Sequence, residues 1–506
     1  MKLKRLTQYA LLLILTAFAS CKKTYLDTKP SDQVSEADAL STVANARVAL
    51  NGIYRAMYMQ YSDQEQDGFP ALMIFSDFMG EDIVHSAAGT VYFRGGLRWT
   101  DHRSVSSDLN YFSYRFFYKI IANANMILSR IDDMDGVAAE KAAIKGEALA
   151  LRGWAHYQSV QFFGKRYDAT TVPNSQPGIP ILLTNSLDAQ PRSSVEDVYK
   201  QITTDLNAAI TSLSSAGARA YKTHIDLNVA KGLRARVALT MQDWPNAAKY
   251  AAEARAGSSL MSAADYFSGF NNLANAEWMW GANQLADQLP TYGSFFAYMS
   301  ANFNSAHTRP NPKLINSKLY ALITATDIRK KLWWDGTTAD AVNFPGVINA
   351  STGQPEPSQR KARYQHRKYL VKDPTVSVGD IPYMRTAEMY LIEAEANARA
   401  GLNDAAATAL FPLAVARDPS YKKSTKTGQA LIDEIMIQRR VELWGEGFRF
   451  LDLKRTNSPL DRSGTGATVA LATVGITTPI PAGDVRWQFL IPRREIESNP
   501  SIEQNP

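Results

Sequence analysis

Apolar residues along the chain follow two regimes. Over most of the first half and the last quarter they recur every three or four positions, whereas between 261 and 382 that periodicity fades. The spacing predicts a helix over Ser35 to Tyr61, opened by Ser35-Glu36 and carrying Leu40, Val43 and Leu50 among alanines. Asp108 to Ile131 reads as an aromatic-rich amphipathic helix, with Phe112, Phe116, Ile120 and Ile127 near one face. In Ala138 to Phe163 a stripe of Ile144, Ala148, Leu151 and Ala155 runs up to a stop at Gly164. A fourth helix is predicted over Ser194 to Leu213, with a serine placed to cap the first free amides.

Two later stretches share one design. "VAKGLRARVALTMQDWPNAAKYAAEAR" (229–255) and "TAEMYLIEAEANARAGLNDAAATALFPLAVAR" (386–417) each give an alanine-rich helix, a tight polar turn and a second alanine-rich helix. Small residues recur where two helices must approach closely, and a large apolar residue, Trp244 or Leu402, wedges near the turn. This is the pattern of a tetratricopeptide-like hairpin, which stacks on its neighbours because one unit cannot bury its apolar face alone. The 138–163 and 194–213 helices suit a third hairpin around the insert 164–193, and the first two helices a fourth.

The stretch 261–382 is rich in aromatics, Asn, Gly and Pro, and reads as long loops with short strands; "EWMWGANQ" (277–284) alternates like a strand. Long loops in a compact protein are generally functional surfaces. The expected fold is therefore mainly α: a tetratricopeptide-like helical-repeat scaffold with an interleaved loop-rich lobe containing short strands. The expected division is a leader at 1–20, a helical region at 21–260, the loop-rich lobe at 261–382 and a helical region at 383–506 that completes the scaffold.

The beginning of the chain carries a separate signal. Lys2, Lys4 and Arg5 precede an uncharged apolar stretch from Tyr9 to Ala19, and Ala19-Ser20 stand before Cys21, the only cysteine of 506 residues. This is an export signal too short to span a bilayer as a permanent helix. A cysteine after small residues resembles the bacterial lipobox, although Phe18 departs from the usual aliphatic residue. Cys21 is thus expected to carry lipid and to begin the mature chain, with Met1 to Ser20 removed.

Composition narrows the function classes. The formal charge of +6 loses three basic residues with the leader, and no dense basic run points to nucleic acid. No short-spaced pair exists among the six histidines, and one cysteine supplies no thiolate cluster, so neither a metal nor a cofactor is expected. No G-x-S-x-G turn or phosphate loop is present. A glycosidase needs only two carboxylates, and Glu81, Asp82 and Asp101 in loops keep that alternative open. Glu388, Glu393 and Glu395 read as acids on a helix surface.

Taken together, the motifs resemble the SusD/RagB family of Bacteroidetes nutrient-uptake lipoproteins. "CKKTYLDTKP" is similar to the family's lipidated start, and "YKIIANANMILSRI" (118–131) and "GEALALRGWAHYQSVQFFG" (146–164) to its paired early helices, with Gly153 where alanine is usual. "QPRSSVEDVYKQITTDLNAAI" (190–210), "YMRTAEMYLIEAEANARAG" (383–401), "QRRVELWGEGFRFLDLKR" (438–455) and "FLIPRREIESNPSIEQNP" (489–506) extend the likeness over nearly the whole mature chain. "GKRYDATTVP" replaces the family's usual turn, and Gln438 its common glutamate. Helix spacing lets Asp452 pair with Arg449 and Arg455, a structural role.

The resemblance implies a non-catalytic protein on the outer face of the outer membrane. Such a protein captures an oligosaccharide and delivers it to a SusC-like TonB-dependent transporter; a RagB-like member handles peptide fragments instead. The class alternatives are a surface glycoside hydrolase and a helical-repeat scaffold without a small ligand. Sugar rings pack their C–H faces on aromatic rings and need amides and charges at the edge. Two stretches fit: "YFRGGLRWTDHR" (92–103), with Trp99 flanked by Arg98 and Asp101, and "TYGSFFAYMSANFN" (291–304), with Tyr292, Phe295, Phe296 and Tyr298 beside Asn302. Trp99 is the leading candidate and Trp334 a further one, whereas Trp154, Trp244 and Trp444 belong to helices and to packing.

Overall fold

The computed structural model describes residues 40–85, 92–289, 292–305, 308, 311–341, 343–344, 362–464, 476 and 478–506. The leader, Cys21 and the expected helix start at Ser35 lie outside the described residues.

The predicted helices form with small shifts at their ends. They are α1 (Val43–Ala56), α2 (Gly68–Phe78), α3 (Asp108–Leu128), α4 (Ala138–Phe163), α5 (Val195–Ser214), α6 (Leu227–Thr240) and α7 (Trp244–Ala254). After the lobe come α8 (Thr386–Arg399), α9 (Asn403–Arg417), α10 (Gly428–Glu442) and α11 (Arg449–Arg455). Their starts follow from side chains that accept otherwise free backbone N–H groups: Thr42 from Asn45, Ser107 from Asn110, Ser194 from Asp197 and Asp226 from Val229. The turns between paired helices use left-handed backbone, at Gln242 (φ 62°) and at Gly401 (φ 79°).

These helices pack in chain order. α1 lies on α3, α3 on α4, α4 on α5, α5 on α6, α6 on α7, α7 on α8, and α8 on both α9 and α10. The two alanine-rich hairpins are therefore stacked directly through α7 and α8, although 131 residues of sequence numbering separate their helices' adjoining ends at 254 and 386. Gly153 explains one close approach. A Cβ there would meet Asp205 and Leu206 of α5 at 3.3 Å, and the neighbouring Arg152 reaches across to Asp205 at 2.6 Å.

Two narrow sheets join strands of the lobe to segments outside or at its edge. β2 (Trp278–Ala282) pairs antiparallel with β4 (Ile381–Arg385), and both Trp278 and Trp280 are buried. β1 (Ile83–His85) pairs antiparallel with β3 (Lys313–Ile315), and His85 stands opposite Lys313. Bridges Leu314 to Gln365 and Trp333 to His366 widen this second sheet, giving the lateral order 83–85, 313–315, 364–366, 333–334.

A buried ionic cluster fastens the lobe to the scaffold. Arg385 of β4 donates to Glu277, Glu442 and Glu446; Arg417 at the end of α9 donates to Glu277 and Glu442; Arg329 of the lobe donates to Asp327 and Glu442. The three facing arginines hold the Glu442 carboxyl well below its usual range despite burial that pushes the other way.

Two readings of the acids need correction. Glu388 and Glu395 are fully buried, where Arg236 and Arg455 respectively neutralise them; Glu393 pairs with Arg255. Helical spacing marked these positions as helix, but only the neighbouring helices decide that their face is inward. Asp452 pairs with Arg455 at 2.8 Å as the spacing predicts, while Arg449 turns away to Glu81. Its second partner is Arg439, at 2.7 Å. Glu81 and Asp82 are taken up by Arg449 and Arg440, and so serve as structural ion-pair partners.

Candidate functional site

The turn at 60–67 is the local origin of the site. Gln60 bridges Asp67, Tyr61 N–H donates to Gln66 O, and Gln66 N–H donates to Asp63 O, which closes a tight hairpin ahead of α2. Gly68 allows its exit: its φ is +58°, and a Cβ would lie 2.1 Å from the Met57 carbonyl oxygen. From this turn four polar contacts reach the two aromatic stretches singled out in the sequence. Gln64 accepts the Tyr92 hydroxyl at 2.5 Å through its side chain and the Tyr298 hydroxyl at 3.0 Å through its backbone. Glu65 accepts Phe93 N–H, and Asp67 accepts Phe295 N–H at 3.1 Å.

The two stretches do meet, with Tyr92 and Tyr298 ring centroids 5.1 Å apart. Their meeting, however, buries most of the residues expected to face a ligand. Trp99 is 3% exposed; its indole N–H donates to Met79 O at 2.8 Å, and its ring packs edge-on against Trp487 at 4.8 Å. This corrects the leading candidate: Trp99 is a core plug. It adopts φ +57° to turn inward, and the two glycines before it serve close packing, Gly95 against Asp101 and Gly96 against Phe75. Phe295, Phe296 and Tyr298 are likewise buried. Asn302 staples the lobe, donating to Val371 O at 2.9 Å and accepting Val371 N–H at 2.8 Å. Asp101 is half-buried against Gly95, and desolvation raises its carboxyl above the ordinary value. Arg98 and Tyr292 remain exposed, Tyr292 by 48%.

Trp334 is a second predicted aromatic that is partly exposed. Side chains of adjacent residues on a strand point to opposite faces. Trp333 therefore enters the core, fully buried against Trp444 at 5.8 Å, and Trp334 is half-exposed on the other side. Its indole N–H donates to Thr337 O at 2.8 Å, and its backbone exchanges bonds with Gln365 and Tyr364.

Tyr364 and Tyr320, both half-buried, were not among the predicted residues. Their rings lie 4.9 Å apart at 51°, Arg363 covers Tyr364 at 4.7 Å, and Lys330 covers Tyr320 at 5.0 Å. Gly336 makes room for Arg363, whose side chain would lie 2.8 Å from a Cβ at that position. Burial raises the Tyr320 hydroxyl above its ordinary value, and the nearby Asp335 carboxylate adds to this. Tyr320 and Tyr364 thus form an aromatic pair flanked by Arg363, Lys330 and Asp335, with Trp334 on the strand that bonds the Tyr364 backbone. The only sequence signal was an aromatic beside a basic residue, as in Arg363-Tyr364, which is too common to select. Among the described residues no three His, Cys, Asp or Glu side chains group to hold a metal ion, and no helix is long and apolar enough to cross a membrane.

The comparisons bear on both halves of the chain. A family model described as "Starch-binding associating with outer membrane" matches residues 24–239, and one described as "SusD family" matches 343–506. The "SusD-like protein P38" of Formosa agariphila is 21% identical over all of this chain and 99% of its own length. A SusD-like carbohydrate binding protein from Bacteroides vulgatus superposes with TM-score 0.76 at 24% identity, covering 91% of this chain and 97% of its own. A SusD superfamily protein from Bacteroides thetaiotaomicron gives 0.73 at 23% identity, covering 92% and 100%. A structure titled "Laminarin binding SusD-like protein" gives 0.66 at 20% identity, covering 92% and 99%. With the mainly helical scaffold, the hairpin stack and these matches at both ends, the chain belongs to the SusD/RagB family.

Proposed function

We propose that this protein is a non-catalytic, lipid-anchored glycan-binding protein of the outer cell surface, which captures an oligosaccharide and delivers it to a SusC-like TonB-dependent transporter. The observation that carries the binding role is the part-exposed Tyr320–Tyr364 pair, with Arg363 over Tyr364 and Asp335 near Tyr320, next to the part-exposed Trp334 of the adjoining strand. Flat C–H faces of a sugar pack on such rings, and its hydroxyls find charged partners at the edge. The starch-binding description of the matched family model and the similarity to a carbohydrate binding and a laminarin binding SusD-like protein support a glycan over a peptide. Membrane association is supported by the same family description and by the lipobox-like Ala19-Ser20-Cys21. The proposed division of labour keeps the helical regions 21–260 and 383–506 as scaffold and the loop-rich 261–382 as the ligand side.

Calorimetry with a panel of oligosaccharides, run beside product analysis, tests this reading. Binding without hydrolysis, lowered about tenfold or more in Trp334→Ala and Tyr364→Ala at unchanged Tm, is the expected result. Turnover of any bound glycan, or full binding in both variants, overturns it.

A further inference from the structure

The sheet that presents Trp334 carries on its other face a row of basic groups that the ligand surface does not use. His85, Lys313 and His366 stand on three adjacent strands. His85 is the register partner of Lys313, and His366 N–H donates to Lys313 O at 3.1 Å beside the Leu314 to Gln365 bridge. Residues directly opposite across an antiparallel pair project from the same face, with Cβ atoms about 5 Å apart. The three side chains therefore lie side by side, and all are sealed from solvent: His85 is 1% exposed, Lys313 5% and His366 2%.

Their hydrogen bonding is incomplete. Among the described residues, both ring nitrogens of His85 and Nδ1 of His366 have no partner, and the Lys313 ammonium has one, the Asn311 carbonyl oxygen at 2.8 Å. The charged groups that act on the two histidines are Lys313, Arg462 and Lys368, all cationic; no described carboxylate is paired with Lys313. Arg462 spends its own donors on the carbonyls of Gly80, Phe78 and Leu97. Buried Arg385, Arg417 and Arg455 are compensated by glutamates, and buried Lys454 donates to three backbone carbonyls, those of Gln161, Phe162 and Gly164, whereas Lys313 has a single acceptor among the described residues. A buried ammonium with neither a counter-charge nor a full set of acceptors is costly, and unpaired buried polar atoms generally mark a bound water or ion.

We infer that the Lys313 ammonium and the His85 ring bind a small inorganic anion of halide size within the core of the lobe. The anion accepts from Lys313 Nζ and from the protonated ring nitrogen of His85, and it supplies the missing negative charge. Phe78, edge-on to His85 at 4.4 Å, walls the site from the scaffold side. A halide suits this setting because donors are plentiful, acceptors are not needed and the surroundings are apolar. Desolvation pulls Lys313 down to about 7 in the anion's absence; the anion keeps it protonated. The site is distinct from the glycan surface and locks the strands beneath it.

Two measurements decide it. In crystals of the purified protein grown with sodium bromide, anomalous scattering at the bromine edge is expected to show a peak within hydrogen-bond reach of Lys313 Nζ and His85. In solution, Tm is expected to rise with bromide at constant ionic strength in the wild type, and this increment is lost in Lys313→Met. Bromide peaks confined to surface lysines overturn the inference without reference to any variant's folding. A halide increment that persists in a folded Lys313→Met or His85→Phe protein overturns it as well.

Discussion

Arg385 donates to Glu442 at 3.0 Å with both side chains wholly sealed from solvent. The pair joins β4, at the edge of the lobe, to the end of α10 in the scaffold, and it sits between Glu277 and Glu446 on one side and Arg417 and Arg329 on the other. Such clusters contribute little compared with an apolar core, but removing one member leaves buried charge unpaired. Arg385→Met is therefore expected to cost about 3–5 kcal/mol in denaturant unfolding. A loss well under 1 kcal/mol would show that the remaining arginines suffice.

Trp99 gives a prediction opposite to the one its sequence context suggests. Its burial against Trp487, Phe450 and His102 makes Trp99→Ala a cavity mutation in the core. Stability should fall by about 3–5 kcal/mol, read as a drop in Tm. Any protein that still folds should bind glycan nearly as the wild type does. Unchanged Tm with lost binding would restore the residue to the ligand site.

Trp333 and Trp334 separate the two roles within one dipeptide. Trp333→Ala should destabilise by about 3–5 kcal/mol because the ring is fully buried, while Trp334→Ala should leave Tm nearly unchanged and lower glycan affinity. Equal effects of both substitutions on Tm would refute the alternation of the sheet.

Glu65 predicts a pH dependence. Burial raises its carboxyl to about 7; the Phe93 N–H opposes this, and Asp101 and Asp63 reinforce it. The folded state thus holds the proton more tightly than the unfolded chain, so this contribution to stability is complete below the ordinary value of 4.5 and disappears as pH rises through about 7. Glu65→Gln should stabilise by about 1–3 kcal/mol near pH 8 and have little effect near pH 4. Denaturant midpoints at the two pH values check the sign, and a stabilisation larger at the acid end would be fatal to the argument.

The sequence by itself determined the scaffold. Apolar spacing, capping residues and small residues at helix contacts are local properties, so Ala138–Phe163 is a helix over its predicted span and Ser194 caps the helix it was expected to open. The stacking of two alanine-rich hairpins follows from the same patterns, since each has an apolar face that only another hairpin can cover. What only the tertiary structure decided is which way side chains face. Glu388 and Glu395 are buried because Arg236 and Arg455 arrive from distant helices to neutralise them. Trp99 is core because the C-terminal Trp487 and Phe489 region packs beneath its loop, whereas Tyr320 and Tyr364 meet, and the Trp334 backbone pairs beside them, because segments remote in sequence come together. In loops no periodicity ties a residue to a face, so the direction of an aromatic ring is set by contacts that local sequence does not encode.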